Sequence, residues 1–144
     1  EFPHLHFVAV DPAPQALAVL PPGIERRTGG QIDLPARTAE FDALCAVESL
    51  EHALLPQQAL REFARVTRPD GQVLVVDKRR SRQPLSHCQP WERWFEADEL
   101  AAQLAAAGFA AVDVESVSHW DGAHQSGLFL AWRARRTGAL RAAA

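Results

Sequence analysis

Two short and almost uninterrupted apolar runs constrain this chain more than any other feature. They are FDALCAV at Phe41–Val47 and QVLVVD at Gln72–Asp77. Runs of this kind are typical of strands that are covered on both faces in a parallel sheet. Between them, apolar residues recur at helical spacing and predict a helix from Pro56 to Thr67. The centre of the chain is therefore predicted to be a strand–helix–strand unit.

The same alternation continues on both sides of this unit. The patterns predict further strands and helices: strands at Leu5–Val10, Ile24–Thr28, Phe109–Val117 and Leu128–Arg133, and helices at Pro14–Leu20 and Glu96–Ala107. About ten residues join the last two strands, too few for a helical crossover, so an antiparallel hairpin is predicted there. We predict an α/β fold with a Rossmann-like, doubly wound, mostly parallel sheet over residues 1–136, and a flexible tail at 137–144.

Composition excludes several classes of protein. A net charge of -3 argues against a dedicated nucleic-acid binder, and the sequence has neither a signal peptide nor an apolar stretch of membrane-spanning length. The two cysteines, Cys45 and Cys88, form no disulfide framework, and Cys45 is predicted to be a buried thiol in a reducing, cytoplasmic protein. Neither the pair His4 and His6 nor the pair His87 and Cys88 has partners at metal-ligand spacing, so no metal is predicted.

Several segments together resemble one family. From Phe41 to Asp77 the chain has, in order, an apolar strand, the segment SLEH, the helix ALREFARV and the turn RPDG before a second apolar strand. FVAVDPAPQAL at Phe7–Leu17, DLP at Asp33–Pro35 and WFEADELAAQLAAAGF at Trp94–Phe109 fit the same family in order and spacing. The chain resembles the class I S-adenosylmethionine-dependent methyltransferases, specifically a methyltransferase type 11-like domain.

The resemblance implies a site for S-adenosyl-L-methionine at the carboxyl ends of the strands. Asp11 matches the acid that accepts hydrogen bonds from the ribose hydroxyls. Other residues match the family positions that contact the adenine ring and the methionine part of the cofactor. The implied cofactor-binding residues are Asp11, Pro12, Ala16, Gly30, Gln31, Val47 and Glu48. Gly29, Gly30 and Gln31 stand where the family often has Gly-Asp-Ala, so Gln31 or Asp33 is expected to replace the acid at the adenine amino group. Asp11 and the end of Phe41–Val47 are expected to lie in one sheet.

The chain departs from the family at its N-terminal side. The family begins with a strand and a Gly-x-Gly-x-Gly loop, which these 144 residues do not contain. The sequence also has no methionine, so we expect a processed, truncated or partly observed protein, in which Glu1-Phe2 could be a cloning scar. Loss of this central strand would leave a hole in the sheet or force its neighbours to pair. The missing strand could be supplied in a homodimer or by a segment of another chain.

The acceptor side of the site is predicted from side chains beyond the strand ends. His52 is the candidate general base, because an imidazole exchanges protons near neutrality; capping or packing of the next helix is the alternative. Glu48 and Glu51 are either solvated or orient the substrate. His119 and His124, in the loop 118–126, are candidates for a lid over the acceptor.

Aromatic and basic side chains add further candidates. Trp91, Trp94 and Phe95 either line the acceptor pocket or pack the loop on the sheet. Trp120 is predicted to line the pocket, and Trp132 to pack either in the core or at the edge of the sheet. The run 78–82 either attracts an acidic acceptor or is a solvated loop.

Three functions are compatible with these features. The first is methyl transfer to oxygen, nitrogen or carbon of a small molecule. The second is a non-catalytic methyltransferase-like subunit that acts by protein association. The third is a dinucleotide-binding oxidoreductase, which the RPDG turn and the late hairpin disfavour.

Overall fold

The computed structural model describes residues 4–82, 89, 91–117 and 127–138. Six strands and three α-helices alternate along these residues. They are β1 (Phe7–Asp11), α1 (Pro14–Ala18), β2 (Ile24–Thr28), β3 (Phe41–Val47), α2 (Pro56–Val66), β4 (Thr67–Lys78), α3 (Ala97–Ala106), β5 (Phe109–Val117) and β6 (Phe129–Arg136). Short 3-10 turns at Leu50–His52 and Arg80–Arg82 follow β3 and β4. None of the helices in this part of the chain is long and apolar enough to cross a membrane.

The larger sheet has four strands in the order β3-β4-β6-β5. β3 and β4 are parallel, whereas β6 runs antiparallel to both β4 and β5. The predicted α/β class and the C-terminal antiparallel hairpin are confirmed. Because β6 returns between β4 and β5, the hairpin adds two strands to the edge opposite β3.

The RPDG turn lies inside β4 and not before it. The pairing with β3 jumps from Phe41↔Thr67 to Ala43↔Gln72, so the turn bulges out of the ladder. Asp70 has a φ of 63° there. A Cβ on Gly71 would lie 2.9 Å from the Asp42 carbonyl oxygen, so only glycine fits this close approach.

The main core lies between one face of the four-stranded sheet and the helices α2 and α3. Leu60 and Phe63 of α2 and Leu100 and Leu104 of α3 pack there against Trp132. Trp132 is fully buried, so of its two predicted places it takes the core, and its indole nitrogen donates to the Ala97 carbonyl at 2.9 Å. A smaller cluster lies on the other face of the sheet and contains Val76, Phe129 and Ala131.

β1 and β2 form a separate two-stranded parallel sheet, with Phe7↔Ile24 through Asp11↔Thr28 in register. The expectation that Asp11 and the end of β3 share one sheet is therefore wrong. Among the described strands, β1 pairs only with β2 and β3 only with β4. β1 and β3, the strands that loss of a central strand was expected to leave as neighbours, do not pair with each other.

The apolar run of β3 had predicted a strand covered on both faces, but α2 and α3 cover only one face of it, and the cluster on the other face of the sheet contains no residue of β3. Only Ala46 of β3 is buried, and Val47 is 47% exposed. The prediction of a buried thiol at Cys45 is also wrong, because Cys45 lies on the open face and is exposed. The apolar run of β3 predicted burial correctly only for the face of the strand that α2 and α3 cover.

Candidate functional site

Asp11 ends β1 with its carboxylate fixed by the turn that follows. Its Oδ1 accepts a hydrogen bond of 2.7 Å from the Ala13 backbone N–H. Its carbonyl accepts another, of 3.2 Å, from Gly29 at the end of β2. Pro12 and Ala16, the expected adenine contacts, are exposed beside it. The arrangement presents a carboxylate and an accessible apolar surface at one strand tip.

The loop after β2 connects this tip to the end of β3. Gln31 donates from Nε2 to the Ser49 carbonyl at 2.9 Å, although the two residues follow strands of different sheets. The Gln31 Oε1 atom is buried and has no hydrogen-bond donor among the described residues. Gly29 has no room for a side chain, because a Cβ would lie 2.7 Å from the Pro35 ring. Gln31 thus joins the two halves of the expected cofactor site and keeps an unused acceptor.

The same loop is held on α2 by an arginine–glutamate pair. Arg65 donates to the carbonyls of Ala36 and Leu34 at 2.7 and 3.1 Å, and Glu62 accepts from the Leu34 N–H at 2.9 Å. Arg65 also lies 2.6 Å from Glu62, and this pairing keeps the pKa of Glu62 below its usual range. A second pair, Arg27 with Glu40 at 2.7 Å, lowers the pKa of Glu40 to about 2.

Glu48, directly after β3, has a strained backbone. Its φ is 45°, in the left-handed region that non-glycine residues rarely adopt. Its N–H donates to the Val76 carbonyl at 2.8 Å. Val47 and Glu48 are both exposed at this end of the sheet. Strain of this kind is often found at functional sites, which supports the predicted cofactor contact at Val47 and Glu48.

A buried charge cluster lies beneath this segment. Glu51 and Asp77 are both fully buried, although acids are almost never so unless they are paired. The Lys78 ammonium lies 2.5 Å from Glu51 Oε1 and 3.4 Å from Glu48 Oε2. The second oxygen of Glu51 and both oxygens of Asp77 have no well-formed hydrogen bond in the part of the chain that is described. Of the two buried carboxyls, Glu51 is therefore the one that the Lys78 ammonium pairs with.

Burial and the neighbouring Glu51 charge raise the pKa of Asp77 to about 8. The N–H groups of Glu51 and Ser49 approach Asp77 and offset only part of this rise. Burial acts to lower the pKa of Lys78, but the contact with Glu51 outweighs it, so the pKa of Lys78 is raised. Near neutral pH Lys78 is therefore charged and Asp77 keeps its proton.

His52 lies at the exposed rim of this cluster. Its Nε2 is 3.4 Å from Glu51 Oε1, and 44% of its side chain is exposed. Ligand atoms of Glu51, His52 and Glu92 lie within 4.8 Å of one another, a spacing that can hold a metal ion. The Lys78 ammonium already neutralises Glu51, so this spacing alone does not make a metal site, and the absence of a metal stays a prediction.

The aromatic and basic candidates separate in the structure. Phe95 is fully buried and Trp94 nearly so, whereas Trp91 is 61% exposed. Arg79 and Arg80 pair with Glu96 and Glu99 at 3.5 and 2.7 Å, and Glu99 also pairs with Arg93 at 2.8 Å. These two arginines of the basic run are therefore held by ion pairs within the protein. The candidates His87, Cys88, His119, Trp120 and His124 lie outside the described residues.

Asp77 was not predicted as a member of the site, and Lys78 was predicted only as part of the basic run 78–82 and not as a partner of Glu51. Asp77 ends an apolar run, so its burial follows from the predicted strand. Its neighbour in the cluster, Glu51, lies 26 positions earlier in the sequence. Only the parallel pairing of β3 with β4, with Val47 opposite Val76, brings the two strand ends together.

Comparison with known proteins gives consistent matches. Residues 2–75 match a family model described as a methyltransferase domain. An O-methyltransferase of Penicillium expansum, cnsE, is 34% identical over 94 residues, which cover 60% of this chain and 34% of that protein. The chain therefore spans about a third of the length of this curated relative.

Two solved structures share the fold. A possible histamine N-methyltransferase from Thermotoga maritima superimposes with a TM-score of 0.76 at 19% identity, over 90% of this chain and 72% of that one. A 1,6-didemethyltoxoflavin N1-methyltransferase from Burkholderia thailandensis gives 0.68 at 25% identity, over 90% and 60% of the two chains. The latter structure contains bound 1,6-didemethyltoxoflavin and S-adenosylhomocysteine.

Proposed function

We propose, from the premise that the chain belongs to the methyltransferase-domain family, that it acts in S-adenosylmethionine-dependent methyl transfer to a small molecule. The observation that carries this proposal is the hydrogen bond of 2.9 Å from Gln31 to Ser49. It joins the loop beside Asp11 to the segment that contains Glu48 and His52, although the strands before them lie in separate sheets.

The chemistry of the available groups fits the cofactor. Asp11 offers a fixed carboxylate that can accept both ribose hydroxyls, a charge-assisted interaction. Gln31, in the loop beside Asp11, is the proposed partner of the adenine amino group. Pro12 and Ala16 offer an apolar surface for the adenine ring. Backbone at Val47 and Glu48 would contact the methionine part.

When bound, the cofactor supplies a methyl group on a sulfonium, which is already an activated leaving group. The main task of the protein is therefore to hold the acceptor in line, and positioning can contribute on the order of 7–11 kcal/mol. We propose that His52 accepts the proton of a hydroxyl or amine acceptor. Its Nε2 faces Glu51 at 3.4 Å, which leaves Nδ1 for that proton.

A small-molecule acceptor is supported by the relatives. The Burkholderia enzyme holds 1,6-didemethyltoxoflavin, and the curated relative is named an O-methyltransferase. We propose the same class of acceptor here, in a cytoplasmic protein that binds neither nucleic acid nor membrane. A homodimer remains an open alternative.

Calorimetric titration of S-adenosylhomocysteine into the natural full-length protein tests the proposal. The wild type should bind, and Asp11→Ala should weaken binding by about tenfold or more, because one charged acceptor of two hydroxyls is lost. Asp113→Ala, which removes an exposed acid from β5 at the far edge of the larger sheet, should bind as the wild type does.

Two outcomes would contradict the proposal. If the wild type does not bind S-adenosylhomocysteine, the non-catalytic, protein-associating alternative becomes the better one. If the wild type binds but Asp11→Ala binds equally well, Asp11 has no ribose role.

A further inference from the structure

The end of β4 contacts the segment 48–52 through the charged side chain of Lys78. Lys78 lies 2.5 Å from Glu51 and 3.4 Å from Glu48, so one ammonium connects the first and fourth residues of the segment. The Trp94 ring lies 5.6 Å from the same ammonium. Its position is therefore fixed from three sides.

The segment needs such support because its first residue is strained. Glu48 has a φ of 45°, and strained backbone persists only where its surroundings determine it. Other restraints are the backbone bonds from Glu48 N–H to the Val76 carbonyl and from Arg93 N–H to the Glu51 carbonyl, each 2.8 Å long. The Gln31 side chain also donates to the Ser49 carbonyl at 2.9 Å. Lys78 is the side chain that holds both acids of the segment.

Stability alone does not account for this arrangement. A buried ion pair often contributes little net stability, because desolvation offsets the attraction between the charges. Glu51 is fully buried and its Oε2 has no hydrogen-bond donor within the described part of the molecule. An apolar residue at position 51 or 78 would avoid that desolvation. The charged Lys78 side chain, by contrast, contacts both Glu51 and Glu48 and fixes their positions relative to each other.

We propose that Lys78 is a positioning residue for the methionine end of the cofactor, acting through Glu51 and Glu48 to hold the strained segment 48–52. This inference rests on the proposed function, because that function places the methionine part at Val47 and Glu48. Lys78 itself touches neither the cofactor nor the acceptor. The adenosine end, at Asp11 and Gln31, should be independent of it.

Two ligands test the two ends of the site separately. S-adenosylhomocysteine has both the adenosine and the amino-acid part, whereas 5′-methylthioadenosine lacks the amino-acid part. Calorimetry should show that Lys78→Met weakens S-adenosylhomocysteine binding about tenfold and changes 5′-methylthioadenosine binding less than about threefold. Lys78→Arg should retain most of the affinity, because it keeps the charge.

Arg80→Met is the matched control. It also removes a cation just after β4 and an ion pair of 2.7 Å, but its partner Glu99 belongs to α3. Both ligands should bind this variant as they bind the wild type. Glu51→Gln, which keeps the shape of the buried side chain, should show the same selective loss of S-adenosylhomocysteine binding. It replaces Lys78→Met as the test if that variant does not fold.

The outcomes are distinguishable. Equal loss of both ligands in a folded Lys78→Met protein, or no loss of either, overturns the positioning role. Loss in Lys78→Met with normal binding in Glu51→Gln also overturns it, because Lys78 would then bind the ligand directly. A wild type that binds neither ligand refutes the proposed function itself.

Discussion

At the scale of single residues, Asp77 is the group whose chemistry departs furthest from the ordinary. It is fully buried, and burial with the Glu51 charge raises its pKa from 3.8 to about 8. Lys78 and the N–H groups of Ser49 and Glu51 act in the opposite direction but do not cancel the rise. A carboxyl of this kind is neutral at the pH where exposed acids are ionised.

This shift predicts a pH dependence of stability. The folded state keeps a proton on Asp77 that the unfolded state loses, so the free energy of unfolding should fall as pH rises from 3.8 to about 8 and then level off. The slope from this group is on the order of 1 kcal/mol per pH unit. Asp77→Asn should lack this contribution. Urea unfolding of both proteins at pH 5 and pH 8 measures the difference.

The exposed Asp113 supplies the control for this measurement. Asp113→Asn should keep the slope of the wild type. If Asp77→Asn loses stability between pH 5 and pH 8 as steeply as the wild type, Asp77 is ionised throughout that range.

At the scale of elements, the loop 29–36 depends on α2 for its position. Arg65 donates to two of its carbonyls and Glu62 accepts from one of its N–H groups. Hydrogen bonds to charged groups contribute more than neutral ones. The place of Gln31 opposite Ser49 therefore follows from a helix that contributes no predicted ligand contact.

Arg65→Met should lower the free energy of unfolding by about 2 kcal/mol, because the Leu34 and Ala36 carbonyls and Glu62 all lose a charged donor. Arg61→Met, an exposed change one turn earlier on α2, should have an effect within about 0.5 kcal/mol. Denaturant unfolding compares the two. Equal effects would mean that the loop does not depend on Arg65.

At the scale of the whole molecule, the two sheets differ in how well they are supported. β4 is paired on both sides and packs against the main core, whereas β1 and β2 have only each other as strand partners among the described elements. Leu17 is the buried residue of the helix beside them. The smaller sheet is joined to the rest through side-chain contacts such as Arg27 with Glu40.

Hydrogen exchange should reveal this difference. Amides of β1 and β2 should exchange at least about tenfold faster than those of β4, because local opening costs less where fewer apolar contacts are lost. Binding of S-adenosylhomocysteine should slow the exchange in β1, since Asp11 lies at its end. Equal protection of the two sheets would show that they open as a single unit.

The sequence by itself determined the order and type of the elements. Apolar runs at period two or without interruption marked the strands, helical spacing marked α2 and α3, and the short final connection required the antiparallel pair β5–β6. These are local properties, set by which side chains a strand or helix presents to the core.

The tertiary structure alone decided which polar groups meet. Asp77 and Glu51 come together through the register of β3 with β4, and Gln31 reaches Ser49 through a loop that Arg65 holds. It also decided that β3 is largely exposed, because burial of an apolar strand depends on which neighbours cover it. Pairing between residues far apart in the sequence leaves no periodic signal along the chain. Some residues of the site could therefore be predicted from the sequence, but the ion pairs and the pKa shifts among them could not.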